Sequence, residues 1–155
     1  MKKISFILFF VIFGCAKPEV DLRIVDAADI FDQVATHVGQ DVVLVNFWAT
    51  HCSPCIEEMP SLNKLQSNTD FKSLEIIPIN IGRDSVEKSS DFYKKLKINN
   101  LEIYFDKNVE LANKFLLRGL PTTVFINKEG EEFARIIGFV NFDDKNIIKW
   151  LQKYD

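Results

Sequence analysis

Apolar residues in this chain recur with two different periods, and each period predicts an element. Val42–Trp48 is apolar on both faces, the pattern of a buried central strand, and residues 74–81 repeat it. From Cys52 the spacing becomes helical, with Ile56, Met59, Leu62 and Leu65 on one side and Pro60 expected to kink or restart the helix at Ser61. Residues 84–98 form a second amphipathic stretch, with Phe92 and Leu96 inward and lysines outward. A short strand is expected over 101–105, a helix over 109–117 ending near Gly119, and a last helix over 143–154. Between them, Thr122–Asn127 and residues 132–138 alternate about Lys128-Glu129-Gly130, which predicts a hairpin. Upstream, Leu22-Arg23-Ile24-Val25 reads as an edge strand and 28–38 as a weak helix closed by Gly39. The order β-α-β-α-β-α-β-β-α predicts an α/β domain with a mixed central sheet and helices on both faces.

The first residues follow a different logic. Lys2-Lys3 precedes an apolar stretch over 4–13, too short to span a bilayer comfortably, and Gly14-Cys15 closes it. This resembles the signal peptide and lipobox of bacterial lipoproteins, in which the cysteine is lipidated. The alternative is a retained signal anchor, which the bulk of Phe13 favours. Either way residues 1–14 are a targeting segment, 15–21 a tether and 22–155 the domain, placed outside the cytoplasm on a membrane. Loss of 1–14 leaves 141 of the 155 residues and moves the net charge from −3 to −5 by removing two lysines. No basic patch remains, which argues against nucleic acid and against an electrostatic hold on anionic lipid. With Cys15 acylated, Cys52 and Cys55 are the two remaining cysteines of an exported domain, too few for a disulfide scaffold.

Cys52-Ser53-Pro54-Cys55 follows the 42–48 strand directly. At i and i+3 at a helix start, the two sulfurs share a face and can bridge. The helix N-terminus favours thiolate over thiol, so the more exposed Cys52 is expected to be the nucleophile and Cys55 the resolving thiol. Pro54 suits the first turn, where no N–H is needed.

The run Phe47-Trp48-Ala49-Thr50-His51-Cys52-Ser53-Pro54-Cys55, together with Gly119-Leu120-Pro121-Thr122-Thr123, resembles the thioredoxin superfamily. Glu57-Glu58-Met59-Pro60 and the extra strand and helix between Ile81 and Asp106 resemble its membrane-tethered TlpA/ResA branch, with that branch's βα insertion in a thioredoxin-like fold. The resemblance implies a cis bond before Pro121, against the trans form that X-Pro bonds ordinarily take. It further implies that Leu120, Pro121, Thr122 and Trp48 line the substrate side, the Leu120 carbonyl and Thr122 N–H being free to pair with a partner strand. Where other members carry a buried aspartate, this chain has Asn46, and the resemblance moves the acid to Glu58 as proton acceptor for Cys55; a solvated helix glutamate is the bland alternative. His51 stands where the branch commonly has tryptophan, and either tunes Cys52 or merely covers surface.

The activity implied is reduction of disulfides in partner proteins of the cytochrome c or copper-site maturation type, with no cofactor beyond the Cys52–Cys55 disulfide. A membrane thiol donor of the CcdA or DsbD kind is the implied source of electrons. The competing reading is a Cu(I) or Zn(II) module using Cys52, Cys55 and His37 or His51. Related copper chaperones space their cysteines one residue wider, and adjacent His51 and Cys52 strain joint ligation. A thiol peroxidase is a third reading, which the C-x-x-C disfavours.

Overall fold

The computed structural model describes residues 42–155. The expected targeting segment, Cys15, the tether, the 22–25 strand, the 28–38 helix and His37 lie outside the described residues. Strands β1 (Val42–Trp48), β2 (Leu74–Asn80), β3 (Tyr104–Phe105), β4 (Thr122–Asn127) and β5 (Glu132–Ile137) form one sheet in the order β3-β2-β1-β4-β5. Its helices are α1 (Ser53–Gln66), α2 (Val86–Leu96), α3 (Glu110–Lys114) and α4 (Lys145–Leu151).

All seven residues of β1 are buried, because it runs parallel to β2 on one side and antiparallel to β4 on the other while helices cover both faces. Side chains alternate, so Val42, Leu44 and Trp48 join Met59, Leu62 and Leu65 of α1, whereas Val43, Val45 and Phe47 pack with Leu111 of α3. Asn46 has the parity of Leu44 and Trp48. One amide is thereby aimed at α1. Asn46 and Phe47 also stand in register with Thr123 and Thr122, which brings the loop after β1 and the loop before β4 to the same end of the sheet. The hairpin turns as expected, with Gly130 at φ 82° in the left-handed region.

Several boundaries depart from expectation. Helix α1 runs through Pro60 as one element. The carbonyl that loses its intrahelical donor there is that of Ile56, on the solvent side where water can serve. Ile56 itself is 37% exposed, and the inward stripe is Cys55, Glu58, Met59, Leu62 and Leu65. In α2 the buried residues are Ser89 and Tyr93, with Phe92 and Leu96 only partly covered. The strand expected at 101–105 pairs only at Tyr104–Phe105, though Leu101 and Ile103 are buried. The 109–117 helix shrinks to the single turn of α3, bracketed by Val109 and Leu116 at φ 59° and 49°. Among the described residues no helix is long and apolar enough to cross a membrane.

Candidate active site

Chain direction places the cysteines. Strand β1 ends at Trp48, a tight turn brings the Cys52 N–H to the Ala49 carbonyl (3.2 Å), and α1 begins. Cys52 is the N-cap residue, its Sγ accepting from the Cys55 N–H at 3.3 Å, and Pro54 lies in the first turn. Cys52 and Cys55 are joined in a disulfide with Cα atoms 5.2 Å apart. Cys52 is half-buried, whereas Cys55 is 1% exposed. An attacking partner therefore meets Cys52 first.

One turn further along α1, Glu58 is as buried as Cys55. Its Oε1 accepts from Asn46 Nδ2 and its Oε2 from the Val140 N–H, both at 2.7 Å. Burial pushes the carboxyl up to about 7, and the Val140 and Asn46 donors hold back part of that rise. Ser61 strengthens the same seam: its hydroxyl donates to the Glu58 carbonyl (2.8 Å) and accepts from the Phe142 N–H (3.1 Å). Asn46 also donates to Thr123 Oγ1 at 2.9 Å, while its Oδ1 has no partner among the described residues. A half-turn of that amide would present an acceptor to protonated Glu58. Neighbouring Glu57 is exposed, as a plain solvated glutamate is. Sequence reasoning singled out Glu58 but read Asn46 only as a group that does not titrate. An amide inside an otherwise apolar central strand was the signal that it had a buried partner.

The Leu120–Pro121 bond is cis, and the loop stands beside the cysteines because Thr122 pairs with Phe47 near the end of β1. Pro121 is buried and its carbonyl accepts from the Gly138 N–H at 2.8 Å. Leu120 is half-buried against the core. Of the residues expected on the substrate side, Thr122 and Trp48 are both buried, and for Trp48 packing under the active-site loop is also expected. Thr122 is fully buried between Phe47 of β1 and Ile137 of β5, so its backbone groups face strands of the sheet instead of an incoming segment. Trp48 is also fully buried, stacked 5.1 Å from Phe92 and 5.5 Å from Tyr93, so it supports the loop from below. His51 is exposed. Among the described residues no three His, Cys, Asp or Glu side chains are gathered to hold a metal.

Residues 18–131 match the AhpC/TSA family. The chain belongs to that family. Within it, 35% of 91 residues are identical to the thiol-disulfide oxidoreductase ResA of Halalkalibacterium halodurans, covering 57% of this chain and 49% of that one. The ResA of Oceanobacillus iheyensis is 30% identical over 133 residues, 78% of this chain and 68% of the relative. The matches thus span about half to two thirds of the length of these relatives. Among solved structures, a putative thiol:disulfide interchange protein DsbE from Chlorobium tepidum aligns with a TM-score of 0.68 at 21% identity, over 78% of this chain and 84% of that one. This AhpC/TSA chain has a thioredoxin-like fold.

Proposed function

We propose that this protein is an extracytoplasmic thiol–disulfide oxidoreductase that reduces disulfides of partner proteins through Cys52 and Cys55. The observation that carries the reading is the bonded pair at the start of α1, with Cys52 accessible and Cys55 buried. In the dithiol form, the Cys52 thiolate attacks one sulfur of the partner disulfide. A mixed disulfide forms and the partner's other sulfur leaves as a thiolate. Cys55 then gives its proton to the Glu58 carboxylate and attacks Cys52 Sγ. The second partner thiolate departs, the Cys52–Cys55 disulfide closes, and two electrons have passed to the partner. A base whose carboxyl titrates near neutrality suits this step, since it is partly ionised there and still basic enough to take a thiol proton. The Leu120–Pro121 loop would guide the partner segment past Cys52. The reaction as written draws on no cofactor beyond the cysteine pair.

The N-terminal pattern supports attachment to the outer side of a membrane by lipid on Cys15, with a signal anchor as the alternative. Labelled fatty acid is expected to enter the wild type and not Cys15→Ser; an uncleaved N-terminus in both by mass spectrometry decides for the anchor. The resemblance of the motifs to the TlpA/ResA branch is what supports proposing substrates of the cytochrome c or copper-site maturation type and a membrane thiol donor of the CcdA or DsbD kind.

Direction follows from how strongly the dithiol form is stabilised. Ser53-Pro54 places no charge or imidazole between the cysteines. Equilibration with a glutathione buffer is expected to give a potential nearer about −270 mV than about −120 mV, and a value above about −150 mV would make the protein an oxidant.

A further inference from the structure

Beyond the cysteines, the Asp84 carboxylate reaches the loop that bears Cys52 and has no part in the mechanism above. Trp48 pairs with Asn80, and the Ile81 N–H donates to the Trp48 carbonyl at 3.0 Å, so the loops after β1 and β2 leave the sheet side by side. Asn80 is 2% exposed and organises the second loop: its Oδ1 accepts from the Gly82 N–H (2.7 Å), and its Nδ2 donates to Ser89 Oγ and to Asp84 Oδ2 (both 3.1 Å). The same Asp84 Oδ2 accepts the Thr50 N–H at 3.1 Å, crossing to the loop that carries Cys52 two residues later.

Helix capping does not account for Asp84. The first turn of α2 is capped by Ser85, whose Oγ accepts from the Lys88 N–H at 3.1 Å. The Asp84 side chain is 2% exposed, yet its ion-pair partner Lys88 Nζ, 2.6 Å from Oδ1, lies mostly in solvent. Close packing fixes the contact between loops. A Cβ built on Gly82 would lie 2.7 Å from Ala49 Cβ, 2.9 Å from Asp84 Oδ2 and 3.2 Å from His51 Cε1. Only glycine admits this approach, with both His51 and the Asp84 carboxylate close to its Cα.

We infer that Asp84 is a positioning residue for Cys52: it anchors the loop bearing the nucleophile at Thr50, two residues before it, and the fixed negative charge it sets on that loop holds the couple toward the reducing side. Burial pushes the Asp84 carboxyl up, but the Lys88 ammonium and the Thr50 and Asn80 donors outweigh it and bring it to about 2, so it is ionised wherever thiols titrate. A fixed anion opposes formation of the Cys52 thiolate. A dithiol form that is less stabilised makes a more reducing couple. The other charged or titratable groups near this carboxylate are Lys88 from α2 and His51 from the cysteine loop; Arg83, next to it in the chain, is exposed. Below the cysteines, α1 contributes Glu58.

The inference rests on the oxidoreductase reading, and the test keeps the two apart. Reduced full-length protein is alkylated with iodoacetamide from pH 5 to 9, the Cys52 peptide is followed by mass spectrometry, and insulin reduction is measured in parallel. Asp84→Asn keeps the shape and removes the charge. It is expected to move the Cys52 profile to lower pH, with alkylation at pH 7 about threefold faster or more, and to shift equilibrium with glutathione toward the dithiol form by a similar factor. Lys88→Gln, at an exposed position, unscreens the same carboxylate and is expected to move the profile the opposite way. An Asp84→Asn profile superimposable on wild type overturns the inference. Should that variant fail to fold, Lys88→Gln decides, and a profile unmoved or moved to lower pH overturns it. Wild type that fails to reduce insulin would instead overturn the oxidoreductase reading, with the Cys52 profiles still readable.

Discussion

Reduction of insulin by the dithiol form is expected to stop when Cys52 is replaced by serine. A serine hydroxyl does not ionise near neutrality, so the group that opens the partner disulfide is gone, and the rate should fall by about three orders of magnitude or more to the uncatalysed background. Cys55 cannot substitute, being 1% exposed behind the first turn of α1. Cys55→Ser is expected to behave differently. Cys52 still attacks, the resolving sulfur is missing, and a covalent adduct with the partner accumulates, visible on a non-reducing gel and released by dithiothreitol. Full activity of Cys52→Ser would sink the mechanism, as would an adduct forming through Cys55 faster than through Cys52.

The second large effect concerns Glu58 and pH. Its carboxyl rises from 4.5 to about 7 on folding, so between those values the native protein keeps a proton that the unfolded chain releases. Stability is therefore lost as pH rises through that window and is level above it. Lifting a buried carboxyl from 4.5 to about 7 corresponds to about 3 kcal/mol at most. Urea unfolding of the oxidised protein at pH 5 and pH 8 measures it: wild type should lose up to about 3 kcal/mol more than Glu58→Gln between the two. Glutamine sets an –NH2 against one of two donors, and a turned Asn46 amide can relieve this through its unpartnered Oδ1. In the dithiol form the same variant should slow thiol exchange near neutral pH by about a hundredfold, the scale of a lost general base. Equal pH slopes in the two unfolding series, with exchange rates matching wild type from pH 5 to 9, would leave Glu58 as a buried acid without a role in proton transfer.

Much of this was legible along the chain, because the relevant signals are short-range. The two-sided apolar run of β1, the i, i+3 cysteines at a helix start and the glycine turn of the hairpin each lie within one element, and each appears where its spacing put it. Their order implies an α/β domain with a mixed sheet, and the resemblance carried by the C-x-x-C and Pro121 motifs implies the thioredoxin-like fold. What the chain left open was the rotation of helices about their axes. Ile56 looked as inward as Met59, but α1 packs on β1 with Cys55, Glu58 and Ser61 turned in, since its phase is set by the sheet it covers. Likewise the Thr122 N–H, which the resemblance implies is free to pair with a partner strand, belongs to a residue paired with Phe47 on one side and Ile137 on the other.

The sequence by itself determined which two sulfurs are paired, because a C-x-x-C at a helix N-terminus is a local object held by backbone geometry. The tertiary structure alone decided the electrostatic setting of those atoms. The Glu58 carboxylate meets a backbone N–H 82 positions away at Val140 and an amide from a different element at Asn46, and the Asp84 carboxylate reaches back 34 positions to Thr50. Desolvation and hydrogen bonding act through space, so the proton affinity of a buried acid belongs to the neighbours that folding brings to it and cannot be read from the residues beside it in the chain.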